Sequence, residues 1–142
     1  MAGSVTHLFT IHMTKTKVGY VDGFVLVVPR KNIATYKKMA RSMAKLTRKY
    51  GALEFRECMG FDLYPKGMKE MGALPFPKLT KLKKGETVWF SFITYKSKAH
   101  RDQVNAKLMK DPVMTDPKWE SVKMPFDMKR MAMGGFKVEV DV

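Results

Sequence analysis

Five side chains in this 142-residue sequence carry groups able to exchange protons, hold an ion or attack an electrophile: Asp22, Glu57, Cys58, Asp127 and Arg130. Asp22 stands inside the otherwise apolar run Tyr20 to Val28. A carboxylate buried without a partner is costly, so Asp22 requires a cation or a shifted pKa. Arg130 or Lys129 is the expected partner, with Asp127 and the Met124-Pro125-Phe126 turn shaping a small cleft. A pocket between sheet and helices would gather these polar groups against apolar walls, the usual make-up of a small-molecule site. The plainer interpretation, an ion pair that fixes the register of the last strand or a subunit contact, outweighs catalysis. Cys58 is the only thiol in the chain. Activating it takes a nearby cation or histidine. Arg56 shares its face of the strand, but a small buried thiol is the simpler expectation.

Other chemistry finds less support. His7 and His12 are five residues apart, which neither helix nor strand brings neatly onto one face, and no HExxH or paired CxxC motif occurs. His100 falls in the apolar row of a helix and is expected to be a partly buried histidine with a hydrogen-bond partner, not a ligand. No metal or cofactor is therefore expected. Gly134-Gly135 lies within a strand and marks a bulge or a close backbone approach, not a phosphate loop.

Charge is the strongest compositional signal: 27 Lys and Arg against 13 Asp and Glu, a formal net charge of +14. Lys37, Arg41, Lys45, Arg48 and Lys49 fall with Lys38 on an arc of roughly 120° of one helix. Lys37, Arg41, Lys45 and Lys49 form an i, i+4 row of like charges, each pair costing a few tenths of a kcal/mol. Lys66, Lys69, Lys78, Lys81, Lys83 and Lys84 add a second cationic stretch. Nucleic acid is the obvious polyanion. With no RNP-type aromatic motif, helix-turn-helix or zinc finger beside these cations, a solvated basic surface is favoured over nucleic-acid recognition.

The elements that must position these groups follow from periodicity. Tyr20 to Val28 predicts a strand closed by Pro29. Asn32 is placed to cap a helix running to Tyr50, ended by Gly51, with Ile33, Tyr36, Met39, Ala40, Met43, Ala44, Leu46 and Tyr50 on one broad side. Ala52 to Leu63 predicts a second strand. Tyr64 to Gly85 is a long Pro- and Gly-punctuated connection of the kind used as a lid, arm or binding loop. Glu86 to Tyr95 is the strongest strand, and Ser97 caps a second helix that Asp111-Pro112 stops near Lys110. Met131 to Val142 predicts the last strand, with Phe136, Val138 and Val140 alternating with charged residues. Residues 1–18 read as an amino-terminal arm, with Met13 as an alternative start, and 19–142 as one domain.

That order is the ferredoxin-like βαββαβ pattern, an α+β fold with a four-stranded antiparallel sheet and two helices on one face. Its second sheet face is not polar. Val21, Val25 and Val27 alternate with Phe24, Leu26 and Val28, and Trp89 and Ile93 with Phe90 and Phe92. Two helices cover one face only. Leaving the other wet forfeits about 1.5–3 kcal/mol for each large side chain, so a homodimer packed sheet to sheet is expected, with cover by the amino-terminal arm or the long connection as the alternative.

Several strings carry a family resemblance: Tyr20-Val21-Asp22-Gly23-Phe24-Val25, Tyr50-Gly51-Ala52-Leu53, Glu57-Cys58, Ser97-Lys98 with Arg101-Asp102, and Met109-Lys110-Asp111-Pro112. The most specific is Met124-Pro125-Phe126-Asp127-Met128-Lys129-Arg130-Met131 with Gly134-Gly135-Phe136. Together they resemble the YbaA-like bacterial family, a domain of unknown function placed within the dimeric α+β barrel superfamily. The resemblance covers Tyr20 to the carboxyl end. It implies a ferredoxin-like fold and a dimer, and supplies no activity. The wider superfamily includes monooxygenases, isomerases, dechlorinating enzymes and haem-binding members, so the shared fold is a weak guide to chemistry. The expectation is a homodimer holding a small organic molecule between sheet and helices, with transformation of that molecule left open. The lone cysteine fits a reducing, cytoplasmic setting, and no apolar run approaches the ~20 residues that span a bilayer.

Overall fold

A computed structural model describes residues 16–142; His7, His12, Met13 and most of the proposed arm lie outside the described residues. β-branched and aromatic residues build β1, Tyr20–Pro29. A 3-10 turn over Arg30–Asn32 leads into α1, Ile33–Lys49. Asn32 does occupy the cap position, yet its side chain caps nothing. Its Nδ2 donates instead to the Pro125 carbonyl at 3.3 Å, tying the helix start to a turn far along the chain. Gly51, at φ +119°, turns the chain out of the helix.

β2 is Glu54–Met59, shorter than the expected Ala52–Leu63. Its hydrogen bonds to the neighbouring strand begin at Leu53 N, on the Thr94 carbonyl, and end at Gly60 N, on the Val88 carbonyl. The long connection contains two single-turn helices, α2 (Met68–Met71) and α3 (Phe76–Leu79). β3, Glu86–Tyr95, and α4, Lys98–Leu108, follow, with Ser97 Oγ accepting from the His100 amide at 3.1 Å as a cap should. Asp111 ends this region differently: its carboxylate accepts from the Val113 amide at 2.8 Å and starts the short α5, Pro112–Thr115. β4 is Ala132–Lys137, not Met131 to Val142. It pairs only with β1, where Lys137 faces Tyr20, the first residue of that strand. Beyond Val138, whose amide reaches the Gly19 carbonyl, the partner strand has run out.

The four strands form one antiparallel sheet in the order β2–β3–β1–β4, and the fold is α+β. Strand register sorts the side chains into rows. Met133, Phe24, Ser91 and Glu57 lie abreast, as do Gly135, Asp22, Ile93 and Phe55. Both rows face the helices. Tyr36 and Ala40 of α1 pack with Leu26, Val28 and Trp89, and Val104 of α4 packs with Tyr20, Ile93 and Tyr95. The apolar side of α1 is buried or half-buried throughout, whereas Lys37, Lys38, Arg41, Lys45, Arg48 and Lys49 are all exposed. On the opposite sheet face Val21, Val25, Phe90, Phe92 and Phe136 line a shallow depression. Phe90 is 46% and Phe136 62% exposed. Among the described residues no helix is long and apolar enough to cross a membrane.

Candidate functional site

The helices do not close fully on the sheet. Between α1, α4 and the two inward rows lies a cavity of about 350 Å³. Its walls are mostly apolar: Phe24, Leu26, Met39, Met43, Ile93, Phe126, Met131 and Met133. Two polar stations interrupt them, and each is centred on a carboxylate.

Glu57 is the first. Strand register sets it beside Ser91, and the helix places Tyr36 above both. Tyr36 Oη donates to Glu57 Oε2 at 2.8 Å, and Ser91 Oγ donates to the same oxygen at 2.5 Å. Among the described residues Oε1 accepts no hydrogen bond from the protein. Burial raises the Glu57 pKa, and the two hydroxyl donors only partly offset this. Because Oε2 is occupied as an acceptor, a proton on this carboxyl belongs on Oε1, the oxygen left for a ligand. Tyr36 is held in place by edge-on contacts with Trp89 and Phe126, at ring-centre distances of 5.0 and 5.9 Å. Burial first, then the Glu57 charge, drive its own pKa upward.

Asp22 is the second station. Its partner is Arg101 of α4, Nη1 to Oδ1 at 3.5 Å, and not Arg130. Arg101 also donates from Nη2 to Tyr20 Oη at 3.0 Å and sits over the Tyr20 ring. Its Nε is 3.1 Å from Asp102 Oδ1 but is not aligned for a hydrogen bond. Burial raises the Asp22 pKa, with Arg101 pulling the other way. Burial and the Asp22 charge together push Tyr95, another lining residue, up to about 12. Gly135 explains how Tyr20 reaches Arg101: a Cβ there would fall within 2 Å of the Tyr20 hydroxyl, at 1.7 Å. The expected close backbone approach at the glycine pair is real, and it belongs to Gly135.

The cavity thus brings together two of the five candidates, Asp22 and Glu57, and leaves out three. Arg130 makes a bidentate pair with Glu86, at 2.8 and 2.6 Å, and also binds Asp127 Oδ2 and the Lys81 carbonyl. It clamps the end of the long connection to the approach to β4. These bonds hold the Glu86 and Asp127 carboxylates below their ordinary range. Of the late turn, Phe126 and Met131 supply cavity wall while Asp127 does not reach it. Cys58 is exposed, not buried, because register sets it opposite Phe90 on the open sheet face. Arg56 lies 3.4 Å from Glu54, so its charge is shared with that carboxylate. His100 is half-buried with Nδ1 accepting from the Lys96 amide at 2.9 Å, the structural role expected of it.

Sequence reasoning missed Tyr36, Ser91 and Arg101 as site residues. Ser91 was visible as a small hydroxyl between Trp89 and Ile93 in the inward alternation of β3. Arg101 stands at i of the i, i+3, i+4, i+7 set completed by Val104, Asn105 and Leu108. That placed a charge on the helix face turned to the sheet. Tyr36 carried no signal beyond its place on an apolar stripe.

Comparison with known proteins identifies the family of the chain. The profile of a family described as "Protein of unknown function (DUF1428)" matches residues 19–128. The "Uncharacterized protein YbaA" of Escherichia coli strain K12 is 42% identical over 122 residues, covering 86% of this chain and 97% of the relative. The protein of the same description from Shigella flexneri matches to the same extent. The 16.3 kDa chain, with two separately supported carboxylates under its helices, belongs to the YbaA-like DUF1428 family.

Proposed function

We propose that this protein is a cytoplasmic homodimer of the ferredoxin-like, dimeric α+β barrel type that binds a small, largely apolar organic molecule between sheet and helices. The observation that carries this reading is the 350 Å³ cavity into which Glu57 is presented by two hydroxyl donors acting on a single oxygen. Apolar walls with a few placed polar groups are what small-molecule sites share. A pre-oriented carboxyl with a free oxygen can donate to a ligand carbonyl when protonated or accept from a ligand N–H or O–H when charged. The same oxygen is placed for proton transfer should the molecule be transformed.

The test is thermal shift against a metabolite library, with native mass spectrometry of the purified protein for a carried ligand. At least one compound should stabilise the protein, and Met39→Trp, which fills the cavity from α1, should abolish that gain. If no compound shifts the transition and no ligand is carried, the reading fails. A polyanion is the second reading, favoured by the six exposed cations of α1, none of which enters an ion pair among the described residues. It requires RNA affinity that falls steeply with salt.

A further inference from the structure

A second concavity borders the first. It measures about 230 Å³ and lies between α1 and the β2 edge of the sheet. Ala40, Phe55 and Glu57 line both spaces, so the two meet across these three side chains. What the smaller one adds is charge: Lys37 and Arg41, one helical turn apart, flank it above the apolar surfaces of Ala44 and Trp89.

Neither cation is neutralised. Among the described residues neither enters a salt bridge. α1 contains no Asp or Glu, and residues 1–15 contain none either. Two like charges at i, i+4 repel by about 0.2–0.5 kcal/mol, and an anion bridging them reverses that sign. Arg41 adds a planar fork that matches a carboxylate or phosphate in two hydrogen bonds. Lys37 and Arg41 thus line the smaller space together with Ala40, Phe55 and Glu57, which also line the larger one.

We propose that the ligand is a small amphipathic organic acid, its carboxylate or phosphate bridged by Lys37 and Arg41 and its apolar body lying along Ala40 and Phe55 beside Glu57. This rests on the reading of the cavity as a ligand site and names the class of molecule it takes. The basic face of α1 then has two parts: Lys37 and Arg41 serve the site, while Lys45, Arg48 and Lys49 lie outside its lining.

The experiment is titration calorimetry with decanoate and phenylbutyrate against their primary amides, and with hexyl phosphate against hexanol. The acids should bind at least about tenfold more tightly than their uncharged counterparts, the scale of one charged hydrogen bond. The double variant Lys37→Gln/Arg41→Gln should lose that preference and leave the binding of the amides unchanged. Lys45→Gln/Lys49→Gln removes the same charge from the same helix and should change neither. The carboxylate and phosphate arms identify which anion the fork prefers. Equal affinity for acids and uncharged partners overturns the inference while the cavity stands as a ligand site. So does an equal loss in both double variants, which would mean general electrostatic attraction. Failure of acids and uncharged partners alike would overturn the ligand-site reading itself.

Discussion

The two carboxylates of the cavity resist ionisation for the same first reason, burial, yet they are supported differently. Glu57 has only neutral hydroxyl donors; Asp22 has a guanidinium. The consequences can be separated. A carboxyl whose native pKa is raised binds its proton more tightly folded than unfolded, so its stabilising contribution is complete below the ordinary carboxylate value and is lost as pH rises through the native one. Glu57→Gln fixes the neutral form. The variant should therefore gain in melting temperature over the parent near pH 8, and that advantage should shrink near pH 4. The carboxylates held down by partners, Glu86, Asp102, Asp111 and Asp127, lose their contribution as pH falls in both proteins alike, so the difference isolates Glu57. A gap of equal size at both pH values would contradict the assignment. At Asp22 the expected response is to loss of charge balance. Arg101→Met leaves a buried carboxylate alone and should cost about 3 kcal/mol in denaturant unfolding, as breaking a buried pair does. Adding Asp22→Asn should recover at least half of it. No recovery would mean that Arg101 acts through Tyr20 rather than through Asp22.

Among the elements, the strands determine the site and the helices complete it. Alternation in β1 and β3 was legible in the sequence and sufficed to place Asp22 on one face with Phe24 and Leu26. What periodicity could not supply was the pairing of distant segments. Arg130 is 108 positions from Asp22 and Arg101 only 79, but separation along the chain decides nothing; β4 meets β1 in a register that leaves Arg130 past the end of the ladder, beside Glu86. The guess that Arg130 answers Asp22 failed for that reason. The far end of β4 was misplaced because its partner β1 begins at Tyr20, opposite Lys137, a property of the pair and not of either sequence, whereas β2 ends at Met59 although β3 runs on to Glu86. The glycine pair in β4 makes this concrete. Gly134 has only ordinary contacts near the position of a Cβ, the nearest atom being 3.8 Å away on Phe136, whereas at Gly135 the Tyr20 hydroxyl occupies the space. Gly135→Ala should thus cost about 1–3 kcal/mol, the range for overfilling a packed site, and Gly134→Ala much less. Urea unfolding of the two variants checks this, and equal losses would show that strand propensity rather than Tyr20 sets the requirement.

At the scale of the whole molecule the decisive feature is the sheet face that, among the described residues, no helix covers. The sequence predicted two apolar alternations, and the structure bears this out: one packs under α1 and α4, the other presents Val21, Val25, Phe90, Phe92 and Phe136. Phe90 and Phe92 lie against each other with ring centres 6.0 Å apart, so the surface is a joined patch and not scattered side chains. Monomers rarely expose such a patch. A second copy satisfies it without any further protein, since a two-fold axis through the face sets each patch against its own image. Leu79 of the long connection, also exposed, lines a depression with Val25 and so adjoins this face. Sedimentation at micromolar concentration should give a particle of twice 16.3 kDa. Phe90→Lys with Phe136→Lys introduces two cations per subunit at the centre of a self-facing surface. Both would be buried in the interface, so the doubly substituted protein should sediment as a monomer. Its circular dichroism should stay that of the parent, because both positions are already open to solvent in the single chain. The cavity lies on the other side of the sheet, so the ligand binding proposed for it should survive the separation of the subunits. A parent protein that sediments as a monomer at every concentration would remove the dimer from the architecture.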